Sequence, residues 1–278
     1  MKYKIKILCC LFWVISCSQS PANLRIKNKD PEISANDILD HIKYLSADER
    51  QGRFPGSKGS KEAVDYIVNE LKSSGVGPAG TDGYKQFFDF TIGIKMNGEN
   101  TLSVNGKPYN VNEDFVPVEF SSNGMVSSGL TFVGYGYSID DSMDWNDYKN
   151  INVENRWAMI IRGGPDGDHP HSKFVNHNPL RKKAMLARDN KAAGVLFVDF
   201  DEGGGLMSLK HTPNSTAIGI PVIHISRTLA DKLLDGRLGS SQIKINESKS
   251  PYSMEINTKL KAHVSLEKEK VSVPNVLG

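Results

Sequence analysis

A chain of 278 residues with 38% apolar and 24% charged side chains can bury a sizeable core, which excludes fibrous and disordered classes. Its formal charge of +2 excludes the large cationic surplus that phosphate-backbone binding requires, so no nucleic-acid partner is expected.

Lys2, Lys4 and Lys6 precede an apolar run, Ile7 to Ile15, too short to cross a bilayer as a permanent helix. This predicts a signal peptide over residues 1–16. The junction Val14-Ile15-Ser16-Cys17 resembles a bacterial lipobox, in which the cysteine is acylated and becomes the new N-terminus. All three cysteines (Cys9, Cys10, Cys17) fall in this region, so the expected mature body has no disulfide. The expected product is exported and held by lipid on Cys17 at a bacterial outer membrane, cell surface or periplasmic face. Each buried acyl CH₂ contributes roughly 0.8 kcal/mol to such an anchor. Residues 17–33, polar and irregular, form the expected tether. Losing residues 1–16 removes three lysines and leaves 31 basic against 32 acidic side chains, a nearly neutral body.

Ser34 and Asn36 are suitable caps for a helix over about 35–46, whose Ile38, Leu39, Ile42 and Leu45 share a face. Asp48 to Gly59 is rich in turn formers, and no regular element is expected there. A second helix is predicted from about Ser60, with Ala63, Val64, Ile67, Val68 and Leu71 on one face and Gly75 as its left-handed stop. From Tyr84 the period becomes two, through Phe88, Phe90, Ile92 and Ile94. Asn105-Gly106 between short apolar stretches signals a hairpin.

Beyond Met125, four apolar runs (Leu130–Val133, Trp157–Ile161, Val195–Val198, Ile220–Ile225) predict buried strands. A helix is expected over Leu180 to Ala193, with Arg181-Lys182-Lys183 as its solvated start and Gly194 as its end, and another after Ser226. Met254, Ile256, Thr258, Leu260, Ala262, Val264 and Leu266 alternate strictly, as one long strand or two joined ones, and a further strand opens at Val271. No repeat of 20–50 residues is present.

The run Leu45-Ser46-Ala47-Asp48-Glu49-Arg50-Gln51-Gly52-Arg53-Phe54-Pro55-Gly56-Ser57, with Ala63, Tyr66, Ile67, Leu71 and Gly75 after it, resembles the opening of secreted two-zinc aminopeptidases that carry an inserted protease-associated domain. Val133-Gly134-Tyr135-Gly136-Tyr137 and Ala193 to Val198 are similar to that inserted domain, and Val273-Pro274-Asn275-Val276-Leu277-Gly278 to the strand that returns to the peptidase sheet. The resemblance implies a mixed α/β and α+β chain. Residues 34–124 and 251–278 would be parts of an incomplete α/β peptidase domain, and 125–250 the β-rich insert. It also implies two zinc ions, a peptide or protein substrate, and zinc ligands and a glutamate base beyond Gly278, in a C-terminal catalytic part not included in this chain.

The residues present offer no such set. None of the seven histidines begins a His-x-Asp at a strand end, and His-Glu-x-x-His is absent. His169 and His171, with His177 nearby, are the metal candidates to weigh against a solvated loop. His41 reads as a helix-surface residue and His224 as a hydrogen-bonded core residue. Gly56-Ser57-Lys58-Gly59 lacks the strand of a nucleophile elbow, and Ser265-Leu266-Glu267-Lys268 lies in a strand-like stretch. Gly134-Tyr135-Gly136 lacks the third glycine of a dinucleotide site and suits close strand packing instead. No catalytic residue is therefore expected in this chain, which reads as the N-terminal portion of a lipid-anchored zinc aminopeptidase. The alternatives are a lipoprotein that binds peptides or a partner through its protease-associated domain, and one half of a split enzyme.

Overall fold

The computed structural model describes residues 34–140, 143–167, 169–201, 203–213 and 215–278. The predicted signal peptide, Cys17 and the tether lie outside the described residues. The chain divides into two units, Met1–Tyr66 and Ile67–Gly278, with the division inside a helix.

In the first unit, α1 spans Ala35–Ser46 and opens with a capping box: the Ser34 hydroxyl accepts from Asp37 N, and the Asp37 carboxylate accepts from Ser34 N. None of its residues is buried. The stretch expected to lack regular structure instead holds a 3-10 segment, Asp48–Arg53, broken by positive φ at Gln51 and Gly52. Short 3-10 turns tolerate such a kink because each needs only one i to i+3 hydrogen bond. α2, Lys58–Ser73, begins two residues before the predicted Ser60. At Gly59 a β-carbon would lie 2.0 Å from the Arg50 carbonyl oxygen, so only glycine lets the loop pass the helix start. Arg50 stacks 4.0 Å over the Tyr44 ring, which stacks on Tyr66 at 3.9 Å, and Arg50 Nε lies 3.6 Å from Glu62.

In the second unit, α2 ends before Gly75, which takes the expected left-handed conformation. The strands β1 (Lys85–Met96), β2 (Thr101–Val104), β3 (Lys107–Tyr109), β4 (Phe115–Pro117), β5 (Gly124–Phe132), β6 (Ser138–Ile139), β7 (Trp145–Asn146) and β8 (Trp157–Ile161) follow. Then come α3 (Leu180–Asp189), β9 (Gly194–Val198), β10 (Val222–Ile225), α4 (Arg227–Leu233), α5 (Leu238–Ser248), β11 (Met254–Val264) and β12 (Leu266–Val276).

Eight strands form one sheet in the order β3-β2-β11-β5-β8-β9-β10-β4, with β5, β8, β9 and β10 parallel. β8 and β9 are buried on both faces, as strands between two layers must be. Trp157, Met159, Ile161, Leu196 and Val198 face a core shared with Leu229, Leu233, Leu238 and Ile245 of α4 and α5. Ala158, Ile160, Val195 and Phe197 face the other core, with Ala184 and Ala187 of α3. This is an α/β arrangement of mixed helix and strand, as expected.

Hydrogen bonding crosses both expected boundaries at 124/125 and 250/251, because β2, β3, β4 and β11 belong to the same sheet as β5, β8, β9 and β10. The Asn105-Gly106 hairpin forms with positive φ at both residues, and Asn105 docks on a bulge in β11, its side chain accepting from Lys259 N at 2.9 Å. That bulge leaves Asn257 and Thr258 without partners on β5, and an even insertion keeps the alternating face of β11 in phase.

β1 and β12 form a separate antiparallel ribbon, registered from Lys85 opposite Val276 to Met96 opposite Leu266. Two further differences concern helices. α3 ends at Asp189, four residues before the predicted Ala193, because Asn190 caps it and Lys191 takes positive φ. Gly194 then opens β9, where a β-carbon would sit 2.4 Å from the Trp157 ring. α5 was not expected from the sequence; its Leu238 and Ile245 are buried, but charged and polar residues between them obscure the period.

Candidate ligand pocket

In open α/β sheets, side chains just past the carboxyl ends of parallel strands converge on one edge, where ligands bind. Here Arg162 follows β8 directly and Asp199 follows β9, and both line a pocket of about 400 Å³. Gly163, Val175, Asn178, Pro179, Leu180, Phe200, Asp201 and Gly204 complete it.

The Arg162 guanidinium is paired through Nη1 with Asp199 Oδ1. The Asp199 side chain is 12% exposed, and at Gly204 a β-carbon would come within 2.4 Å of Asp199 Oδ2, so the loop closes over the carboxylate only because residue 204 is glycine. Behind Asp199, His224 Nε2 lies 3.5 Å from Oδ1, while Met207 N donates to His224 Nδ1 at 3.0 Å. Burial, reinforced by the Arg162 charge, holds the His224 pKa below its usual value despite the opposing pull of Asp199. The ring is therefore neutral at neutral pH. Arg227 fixes the strand end by donating to the carbonyls of Asp199 (2.7 Å) and Phe200 (3.1 Å), and Gln242 Nε2 donates to Phe200 O at 2.9 Å.

Next to this pocket lies a buried polar cluster. Lys183, read from sequence as part of a solvated helix start, is fully buried; its Nζ donates to the carbonyls of Ile161 (3.1 Å) and Gly163 (2.6 Å). The correction has a simple cause: Lys183 lies one residue before Ala184 and four before Ala187, on the face of α3 that meets the sheet. Burial lowers its pKa to about 7, against a raising influence from Asp147. Burial likewise raises the Asp147 carboxyl to about 7, opposed by the Tyr137 N–H donated to Oδ2 at 2.9 Å. Gly134 and Gly136 have positive φ and approach Tyr252, Asp147 and Ile160 closely, in accord with a packing role.

Of the three histidines named as metal candidates, two meet one another and the third packs on Tyr137. His169 and His171 face each other edge to face with centroids 5.9 Å apart, and His171 N donates to His169 Nδ1 at 3.2 Å. His177 instead packs edge-on against Tyr137, with centroids 6.1 Å apart. Among the described residues no group of three or more His, Cys, Asp or Glu side chains is arranged to hold a metal ion, so the donor set described does not fit a zinc pair. His41 is exposed, with Nδ1 2.6 Å from the Tyr66 hydroxyl, and His224 is the core residue expected.

Sequence reading missed Arg162, Asp199, Asp201, Asp147 and Lys183. The signal was present for the first two, since each is a charged residue immediately after an apolar run assigned to a buried strand. Asp147 and Lys183 carry no local mark of burial.

A family model described as the PA domain matches residues 116–233, from within β4 to the end of α4. The chain thus contains a PA domain, whose matched span overlaps residues 125–250 without sharing their bounds. Among solved structures it is similar to an aminopeptidase from Aneurinibacillus sp. strain AM-1, at 18% identity, covering 87% of this chain and 46% of that one, with a TM-score of 0.45. It is also similar to BSAP, a zinc aminopeptidase from Bacillus subtilis, at 17% identity with 87% and 45% covered and a TM-score of 0.39. A third is a peptidase M28 precursor from Shewanella amazonensis SB2B, at 17% identity with 86% and 52% covered and a TM-score of 0.34. The chain spans about half the length of these proteins. No curated protein matches it.

Proposed function

We propose that this chain is the N-terminal portion of an exported, lipid-anchored zinc-dependent aminopeptidase, in which the PA-containing unit is carried as an insert. The observation that supports this reading is the β1–β12 ribbon. Its register brings Lys85 and Val276 together at one end and Met96 and Leu266 at the other, so everything from residue 97 to 265 departs from and returns to one place. A domain inserted into a host fold needs adjacent entry and exit points. The Leu45–Ser57 motif ahead of α2 supplies the sequence resemblance to the host. Donors for zinc are assigned to the part of the enzyme outside this chain, and no catalytic step is routed through the residues described.

The test compares two samples. The native gene product, isolated from its producing cells, is expected to remove residues from peptides with a free N-terminus, to leave N-acetylated peptides intact and to lose activity with a chelator. The chain of residues 17–278 alone is expected to hold no stoichiometric zinc and to leave aminoacyl chromogenic substrates uncleaved. Zinc-dependent turnover by residues 17–278 alone, or chelator-resistant cleavage by the native product, would refute the proposal. For the anchor, Cys17→Ser is expected to release the protein from the membrane fraction; retention there counts against lipidation at this residue.

A further inference from the structure

The pocket past β8 and β9 has a charge layout that no packing requirement explains. Arg162 uses Nη1 for Asp199, while its Nε and Nη2 make no hydrogen bond to protein among the described residues. Those two donors form the side-on edge of a guanidinium, the edge that grips a carboxylate with two parallel bonds. The pairing with Asp199, whose Oδ1 lies 3.5 Å from the buried His224 Nε2, restrains the guanidinium. Arg162 is therefore a preorganised carboxylate acceptor that loses little side-chain freedom on binding.

Asp201 stands on the rim of the same pocket, exposed, and Gly204 N donates to its carbonyl at 3.3 Å in the turn that follows. Val175, Leu180 and Phe200 add apolar surface to the lining of the same pocket. A phosphate or other multiply charged anion would meet Asp199 and Asp201 as like charges. A simple amine would leave the guanidinium edge unused. A ligand with one carboxylate, one ammonium and an apolar side chain matches the guanidinium, the Asp201 carboxylate and the apolar lining together. The volume of about 400 Å³ is at the small end of the range for organic ligands.

We propose that this pocket binds the zwitterion of a free amino acid or dipeptide, with its carboxylate on Arg162, its ammonium on Asp201 and its side chain against Phe200 and Val175. The chemistry is that of a peptidase product, held on the PA-containing unit. The inference stands apart from the peptidase reading: it concerns binding to this chain, and neither zinc nor turnover enters its test.

The test is calorimetric titration of the chain of residues 17–278 with glycyl-L-leucine, its N-acetyl form, its C-terminal amide and inorganic phosphate. Saturable binding of the free dipeptide is expected, weakened about tenfold or more by either block, with no competing binding of phosphate. Asp201→Asn is expected to remove discrimination against the N-acetyl form while leaving the unfolding midpoint unchanged, since Asp201 is exposed. Arg162→Gln is expected to abolish binding. Absence of saturable dipeptide binding, equal binding of the blocked forms, or an Asp201→Asn protein that still discriminates would each overturn the proposal.

Discussion

Lys183 Nζ lies 4.6 Å from the centroid of the Tyr137 ring, inside a core where Asp147 is the carboxylate that acts on it. Its pKa is lowered to about 7 by burial, whereas the unfolded chain keeps the ordinary 10.5. Between these values the unfolded state binds the extra proton, so stability rises with pH across that window. Asp147 works in the other sense: its folded pKa is raised from 3.8 to about 7, so the folded state binds the extra proton and stability falls as pH rises from 4 to 7. The pair is expected to give a minimum in stability near neutral pH. Lys183→Met should flatten the alkaline limb and Asp147→Asn the acid limb, read as unfolding midpoint against pH.

His224 gives a third titration. Its folded pKa is lowered, so its contribution is complete above the ordinary imidazole value of about 6.5 and is lost as pH falls below it. In His224→Asn, whose Oδ1 can accept from Met207 N, this acid-side loss is expected to disappear, at a cost of about 1–3 kcal/mol at neutral pH. Urea unfolding at pH 5 and pH 7 measures both effects. An unchanged difference between the two pH values would show that His224 is not the group responsible.

Gly194→Ala is expected to destabilise the second unit by about 1–3 kcal/mol, because the added methyl meets the Trp157 ring at 2.4 Å in a fully packed layer. Pairing with Trp157→Phe, which shortens the ring system, should recover part of that loss. Thermal unfolding of the two single variants and the double variant tests the coupling.

In the first unit, α1 has no buried residue, so the Arg50–Tyr44–Tyr66 stack carries much of its attachment. Stacked aromatic pairs contribute about 0.5–1.5 kcal/mol, and a cation–π contact of a largely buried arginine about 1–2 kcal/mol. Tyr44→Ala is expected to speed amide exchange across Ala35–Ser46 while leaving exchange in β8 and β9 unchanged. Equal protection of α1 in both proteins would rule the stack out.

Elements with a strong local signature were readable from sequence. The cap candidates Ser34 and Asn36 marked the start of α1, Gly75 the end of α2, Asn105-Gly106 the hairpin, and unbroken apolar runs the buried strands β8 and β9. What escaped depended on partners distant in sequence. The sheet order, which places β11 between β2 and β5, follows from long-range register and leaves no local mark. Lys183 looks like any lysine in a basic helix turn until the sheet beneath it is known. The pocket lay between these cases, because Arg162 and Asp199 occupy informative positions that are meaningful only once β8 and β9 are seen to be parallel.

The β1–β12 ribbon also sets how the second unit responds to force. Pulled apart at Lys85 and Val276, its hydrogen bonds are loaded one pair at a time from that end, as a zip opens, and the eight-stranded sheet carries no tension until Met96 and Leu266 have separated. The ribbon therefore acts as a mechanical fuse, yielding at low load while the PA-containing sheet stays whole.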